Sequence, residues 1–261
     1  MATVAHRVVT LTTDFGHQDP YVGVVKGVIL SGCPDAQIID LNHEIPPFDV
    51  RAGAWSLKIS LSYFPTGSIH MAVIDPRVGS NQRRIAIKTP DFVILAPDNG
   101  LTAAFIHQAE KTFVLDKPQF FGKSVSSTFH ARDIFAPIAA LLLNGEMLEK
   151  LGSEIDPGTL AQIEGLQPEV KSGHIVGAVV YTDRYGNLIT NIRTQDRSEI
   201  VQIELGKHVL KLAEGSYDTI GDGEARVITG SHGYLEIAVK QGSAASLIKA
   251  GNGDKVIARL D

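Results

Sequence analysis

Arg7-Val8-Val9-Thr10-Leu11-Thr12-Thr13, followed at once by Asp14-Phe15-Gly16, decides the architecture of the first half of the chain. The run is mostly β-branched or apolar and lacks the alternation of a half-exposed strand, so it describes a strand buried on both faces. Such strands belong to parallel α/β sheets, where ligands bind outside the carboxyl ends of the strands. Asp14, placed there, has two readings. It accepts hydrogen bonds from sugar hydroxyls, or it bonds its own loop backbone.

Working outward, Asp19-Pro20 predicts a helix start, with Asp19 as cap and Pro20 at the first helical position, over Tyr21 to Leu30. Ile38 to Leu41 reads as a short strand. Asp49 to Tyr63 reads as a helix, with Val50, Ala54, Leu57 and Leu61 at helical spacing. Strands are predicted at Ser68 to Ile74, Arg84 to Thr89 and Phe92 to Ala96, and a buried helix at Ala131 to Leu143. Residues 145–173 are polar and Pro/Gly-bearing, a connecting segment. Beyond them come seven short strands, from Ile175 to Leu260, separated by turns such as Asp222-Gly223. The expected fold is an α/β N-terminal domain with a largely parallel central sheet, residues 1–165, and a smaller all-β, barrel-like C-terminal domain, residues 172–261.

Composition narrows the function. With 44% hydrophobic and 20% charged residues the chain is a globular protein with a substantial core. A net charge of -5 provides no basic footprint for nucleic acid. A single cysteine, Cys33, excludes a disulfide framework and a cysteine-rich zinc site. Met1 to Arg7 lacks the apolar core of a signal peptide, and no apolar run reaches bilayer length, so no membrane partner and a cytoplasmic location are expected.

Chemistry concentrates where apolar segments end. Asp75 follows Ile69 to Ile74 and opens Asp75-Pro76-Arg77-Val78-Gly79-Ser80-Asn81-Gln82-Arg83-Arg84. His130, Arg132 and Asp133 sit at the mouth of the buried helix, where titratable groups are costly unless they pair or act on something. A histidine satisfied by backbone and a turn aspartate are the structural alternatives. Ala96-Pro97-Asp98-Asn99-Gly100 reads as a turn. In the second half, Tyr185 in Asp183-Arg184-Tyr185-Gly186-Asn187 can stack on a planar base and Asn187 can pair with its edge, or the segment is a hairpin turn. Gly230-Ser231-His232-Gly233-Tyr234 has the same ambiguity. Walker, Rossmann, nucleophile-elbow and His-Glu-x-x-His motifs are missing from the sequence.

The ordered set of these stretches, from Thr12-Thr13-Asp14-Phe15-Gly16 through Ile45-Pro46-Pro47-Phe48-Asp49, Asp75-Pro76, Ala96-Pro97-Asp98-Asn99-Gly100, Phe129-His130-Ala131-Arg132-Asp133, Tyr185-Gly186-Asn187 and Gly233-Tyr234-Leu235-Glu236, resembles the S-adenosyl-L-methionine (SAM) hydrolases. These are the SAM hydroxide adenosyltransferases, relatives of the fluorinating and chlorinating SAM enzymes. The resemblance implies hydrolysis of SAM to adenosine and L-methionine without metal or cofactor, in a homotrimer whose sites lie between subunits. It implies that Asp14 clasps the ribose, that Asp19 and Asp183 face the methionine ammonium, and that Phe48 and Tyr185 flank the adenine. Asn187 would read the adenine edge with backbone near Ala244 or Ala245, and Ser231 and Tyr234 would complete the substrate contacts. The implied water-activating trio is Asp75, Arg83 and His130. The loop after Asp75 is one residue longer than the family's, which keeps Arg84 as the alternative arginine. Arg77 and Ala131 stand where the family usually has glycine.

Overall fold

Every residue of the first strand is buried, as its unbroken β-branched run demands. The computed structural model describes residues 7–261, except the side chains of residues 196–198, and the stretch read above for a leader begins outside them, at Met1 to His6. The chain divides into two units, residues 1–163 and 164–261, each with its own core.

The first unit runs β1 (Val8–Thr13), α1 (Tyr21–Gly32), β2 (Gln37–Asn42), α2 (Val50–Ser60), β3 (Ser68–Val73), β4 (Arg84–Lys88), β5 (Phe92–Pro97) and β6 (Lys111–Val114). A π-helical turn (Ala131–Phe135) then enters α3 (Ala136–Leu143), and α4 (Leu148–Leu151) and β7 (Ser153–Ile155) follow. The sheet order is β2-β1-β3-β5-β4-β6-β7. The ladders β2-β1, β1-β3 and β3-β5 are parallel; those joining β5, β4, β6 and β7 are antiparallel. The sheet is thus mixed rather than largely parallel. The cause is local: Thr89, Pro90 and Asp91 are all that connect β4 to β5, with Thr89 N donating to Phe92 O at 2.9 Å. Three residues close a hairpin but cannot make a parallel crossover. β6 and β7 lack a strong apolar pattern and were not legible beforehand.

Helix ends differ in instructive ways. Asp49 caps α2, its carboxylate accepting from Ala52 N at 2.9 Å. Asp19, the expected cap of α1, makes no side-chain cap; Pro20 occupies the cap position, and the helix begins at Tyr21 as expected and runs on to Gly32. α1 and α3 cross so closely that a Cβ on Gly32 would lie 2.7 Å from Ala140 Cβ.

The second unit carries β8 (Glu169–Lys171), β9 (His174–Thr182), β10 (Leu188–Arg193), β11 (Ile200–Leu205), β12 (His208–Leu210), β13 (Ala225–Thr229), β14 (Tyr234–Val239), a short α5 (Ala244–Ile248) and β15 (Lys255–Leu260). All its named strand pairs are antiparallel, in the order β12-β11-β15-β9-β10-β14-β13, with β8 added on β9. The outer strands meet where Ala213 N donates to Val227 O and Val227 N to Lys211 O, which nearly closes the sheet into a barrel.

Candidate active site

Asp14 and Asp75 follow β1 and β3, neighbouring parallel strands, so their loops leave the sheet at one edge. The His130 loop is brought to that edge by a close backbone approach. Gly79 has φ +82°, and a Cβ there would lie 2.4 Å from Ser127 O. Only glycine satisfies both demands. The result is a cleft of about 530 Å³ lined by, among others, Asp14, Phe48, Asp75, His130 and Arg132.

One wall is aromatic. Phe15, Tyr21 and Phe129 meet edge to face, with centroids 5.3–6.0 Å apart, and the Arg132 guanidinium lies 5.0 Å from the Phe129 centroid. Arg132 also clasps Asp133, Nε to Oδ1 at 2.6 Å, and this pairing lowers the Asp133 pKa. Asp133 in turn accepts from Ser126 N at 2.8 Å, which folds the loop over the π-helical turn. None of these three rings was singled out from the sequence, because isolated aromatics near turns look like ordinary core.

The same cleft carries the acids and the histidine. Asp14 Oδ2 accepts from Phe48 N at 2.9 Å. That donor exists because Phe48 takes a left-handed φ of +68° in the Pro46-Pro47-Phe48-Asp49 turn, a position that ordinarily favours glycine. The turn holds the ring outward, 68% exposed. Behind Asp14, Thr13 Oγ1 bonds His43 Nδ1 at 2.8 Å, and Gly16 N donates to His43 O, which secures the loop from below.

His130 is buried, and burial is the main cause of its lowered pKa. The charge of Arg84 lowers it further, while Asp75 and Asp133 oppose this. The imidazole is therefore neutral at neutral pH and able to take a proton.

Arg83 is elsewhere. Its Nε donates to Asp98 Oδ2 at 2.7 Å and its other nitrogens to Thr159 Oγ1 and O. Its donors face a buried carboxylate and a turn, and Arg83 is not one of the residues lining the cleft with Asp75 and His130. The Arg84 charge bears on His130, although Arg84 too is not one of the residues lining the cleft, and its Nε is buried and unpartnered among the described residues. Asp98 and Asn99 do hold a turn, as read: Asn99 Nδ2 donates to Ile74 O at 2.8 Å, just before Asp75. Asp19 is exposed and is not one of the residues lining the cleft.

In the second unit, Asp183, Tyr185 and Asn187 share a cavity of about 660 Å³ with Tyr217 and Gln241. Asp183 Oδ1 accepts from Tyr185 N and Asn187 N, and its Oδ2 from Asn187 Nδ2 at 2.9 Å. Among the described residues all the donors come from its own turn, which leaves Asn187 Oδ1 as the amide's open end. Ala245 N donates to Gly186 O, which sets Ala244 beside this turn. Ser231 and Tyr234 are not among the residues lining the cavity; Tyr234 begins β14, whereas Val239, at that strand's far end, lines it. Tyr217 and Gln241 belong to segments without a motif. Tyr217 Oη donates to Glu236 Oε1 at 2.6 Å, and burial raises the pKa of Glu236.

Comparison with known proteins bears on both units. The profile of the SAM hydroxide adenosyltransferase N-terminal domain matches residues 9–152, and that of the C-terminal domain matches residues 177–257. The chain belongs to the SAM hydroxide adenosyltransferase family. Among members of that family, it is 35% identical over 247 residues to the (R)-S-adenosyl-L-methionine hydrolase of Thermus thermophilus, covering 91% of this chain and 94% of that one. A fluorinase of Nocardia brasiliensis is more distant, 27% identical over 91% of this chain and 92% of its own. A crystal structure of an uncharacterized conserved protein from Thermotoga maritima superposes with a TM-score of 0.89 at 32% identity, over 97% of this chain and 99% of that one. Among the described residues no group of three or more His, Cys, Asp or Glu side chains is arranged to hold a metal, and no helix is long and apolar enough to cross a membrane.

Proposed function

We propose that this SAM hydroxide adenosyltransferase hydrolyses SAM to adenosine and L-methionine, by in-line attack of water on the ribose 5′-carbon. The observation that carries the reading is Asp75 and a neutral, buried His130 on one cleft with Asp14, with the Arg84 charge acting on that histidine. The names of the hydrolase relatives support it.

The leaving group is a neutral thioether and needs no acid, so the demand falls on the nucleophile. Bringing water from a pKa of about 15.7 to hydroxide at pH 7 costs roughly 12 kcal/mol. One arginine at about 4 Å supplies roughly 4 kcal/mol at an effective dielectric of 20. Arg84 alone therefore does not make hydroxide. Proton transfer to Asp75 or His130 as the bond forms supplies the remainder, helped by in-line positioning. Asp14, with Oδ2 held by Phe48 N, offers its other oxygen to the ribose. Phe48 and Tyr185 flank the adenine and Asn187 Oδ1 accepts from its amino group.

The reading further places the enzyme in the cytoplasm as a homotrimer, with each SAM held by the first unit of one subunit and the second unit of its neighbour. The exposed rings of Phe48 and Tyr185, 68% and 77% open to solvent, support that assembly. A halide nucleophile fits less well, because Asp75 brings negative charge to the cleft and Ala131, which also lines it, has no hydroxyl to hold the ion. The test is incubation with SAM in excess chelator and resolution of the products. Adenosine and methionine are expected; S-adenosylhomocysteine, or loss of activity in chelator, overturns the reading. Asp75→Ala and His130→Ala lower kcat by about 10²–10⁴-fold while adenosine affinity changes little.

A further inference from the structure

Gln82 carries no motif, yet among the described residues it makes the one side-chain-to-side-chain hydrogen bond to Asp75. Its Nε2 donates to Asp75 Oδ1 at 2.9 Å, and Arg77 N donates to the same oxygen at 3.1 Å. Oδ2 accepts none among the described residues. The two oxygens of the carboxylate are therefore inequivalent, and the terminal torsion, ordinarily broad, is pinned.

The holder is itself held. Gln82 N donates to Ser80 Oγ at 3.2 Å and Ser80 N to Arg77 O at 3.1 Å, so the loop from Asp75 to Gln82 is bonded across its interior. At its start Asn99 binds Ile74 O, in its middle Gly79 abuts Ser127 O, and at its end Arg83 is locked to Asp98. Gln82 thus begins from a backbone with little freedom, as a group that must aim another to within a fraction of an ångström requires. Its chemistry suits the task. A guanidinium at this distance would orient the carboxylate but also weaken it as a base, because a neighbouring cation favours the ionised form. A primary amide carries no charge at any working pH, so it orients with a much smaller loss of basicity.

We infer that Gln82 is a positioning residue for the proposed hydrolysis, fixing Asp75 through Oδ1 so that Oδ2 is the oxygen that meets the attacking water. The inference rests on the hydrolase reading. The test uses the full chain, with Gln82→Leu removing the donor at similar size and Gln82→Glu placing a second carboxylate beside Asp75. Gln82→Leu is expected to lower kcat about 10- to 100-fold, the effect of one hydrogen bond to a charged group, with KM for SAM within about twofold. In Gln82→Glu the two acids share a proton, so the acid limb of kcat/KM moves up by about one pH unit or more. A residue that merely stiffened the loop would shift KM with kcat and leave the limb in place. Gln82→Ala serves in place of the leucine variant if that variant is poorly folded by calorimetry. An active wild type with unchanged kcat in the donor-less variant, or an unmoved limb in Gln82→Glu, overturns the inference alone. An inactive wild type overturns the hydrolase reading and the inference with it.

Discussion

Replacing Arg83 and Arg84 by methionine, one at a time, separates two neighbouring arginines by the kind of damage each causes. Asp98, 6% exposed at its side chain, accepts from Arg83 Nε at 2.7 Å and from Ala161 N at 2.8 Å. Removing one partner of a buried ion pair costs about 3–5 kcal/mol. Here Arg83 is 33% exposed and Ala161 N–H remains, so about 2–3 kcal/mol is expected after allowing for solvent screening. In a unit of this size that lowers Tm by roughly 4–12 °C, while turnover at 25 °C stays within about threefold. Arg84 has the opposite signature. Its Nε pairs with nothing among the described residues, so little stability is lost with it. In the proposed attack its charge stabilises the developing hydroxide rather than a protonated histidine, and about 4 kcal/mol of that stabilisation corresponds to roughly a 10³-fold fall in kcat once it is removed. Calorimetry and chromatographic detection of adenosine from SAM measure both quantities on the same samples. An Arg83→Met protein that is inactive at an unchanged Tm, or an Arg84→Met protein with normal turnover, refutes the reasoning.

Two further outcomes follow from strained or buried groups. His70 is fully buried against the Phe64 and Phe92 rings, with Nε2 unpartnered among the described residues and burial lowering its pKa from 6.5 to about 4. The unfolded chain binds its proton first as pH falls, so stability is lost from about pH 6.5 down to about 4, roughly 2.5 kcal/mol of it between pH 7 and 4.5. Urea unfolding at both pH values should show that portion missing in His70→Gln; equal pH dependence in the two proteins contradicts it. Phe48→Gly relieves a left-handed non-glycine residue worth about 1–2 kcal/mol, against about 0.5–1 kcal/mol for the greater freedom of glycine when unfolded. Tm should hold or rise slightly while KM for SAM rises about tenfold from lost stacking. A clear fall in Tm would show that the φ of +68° is not strained.

The chain's own order of residues determined the local chemistry. Buried strands announce themselves by unbroken β-branched runs, as in Val8–Thr13, and acids directly after them, Asp14 and Asp75, lie at the edge where parallel strands present ligands. His130 at the mouth of an apolar helix was legible for the same reason, since burying a titratable group there has a cost that packing alone does not recover. Tertiary structure alone decided which neighbours these groups would meet. Arg83 and Arg84 are indistinguishable as letters, yet one reaches Asp98 and the other acts on His130, because adjacent side chains entering a strand point to opposite faces. The same holds for Gln82, whose contact with Asp75 depends on how a ten-residue excursion folds back on itself, and for β6 and β7, whose weak patterns acquire meaning only beside β4. Hydrophobic periodicity is a property of a segment; the partner of a polar atom is a property of the closed chain.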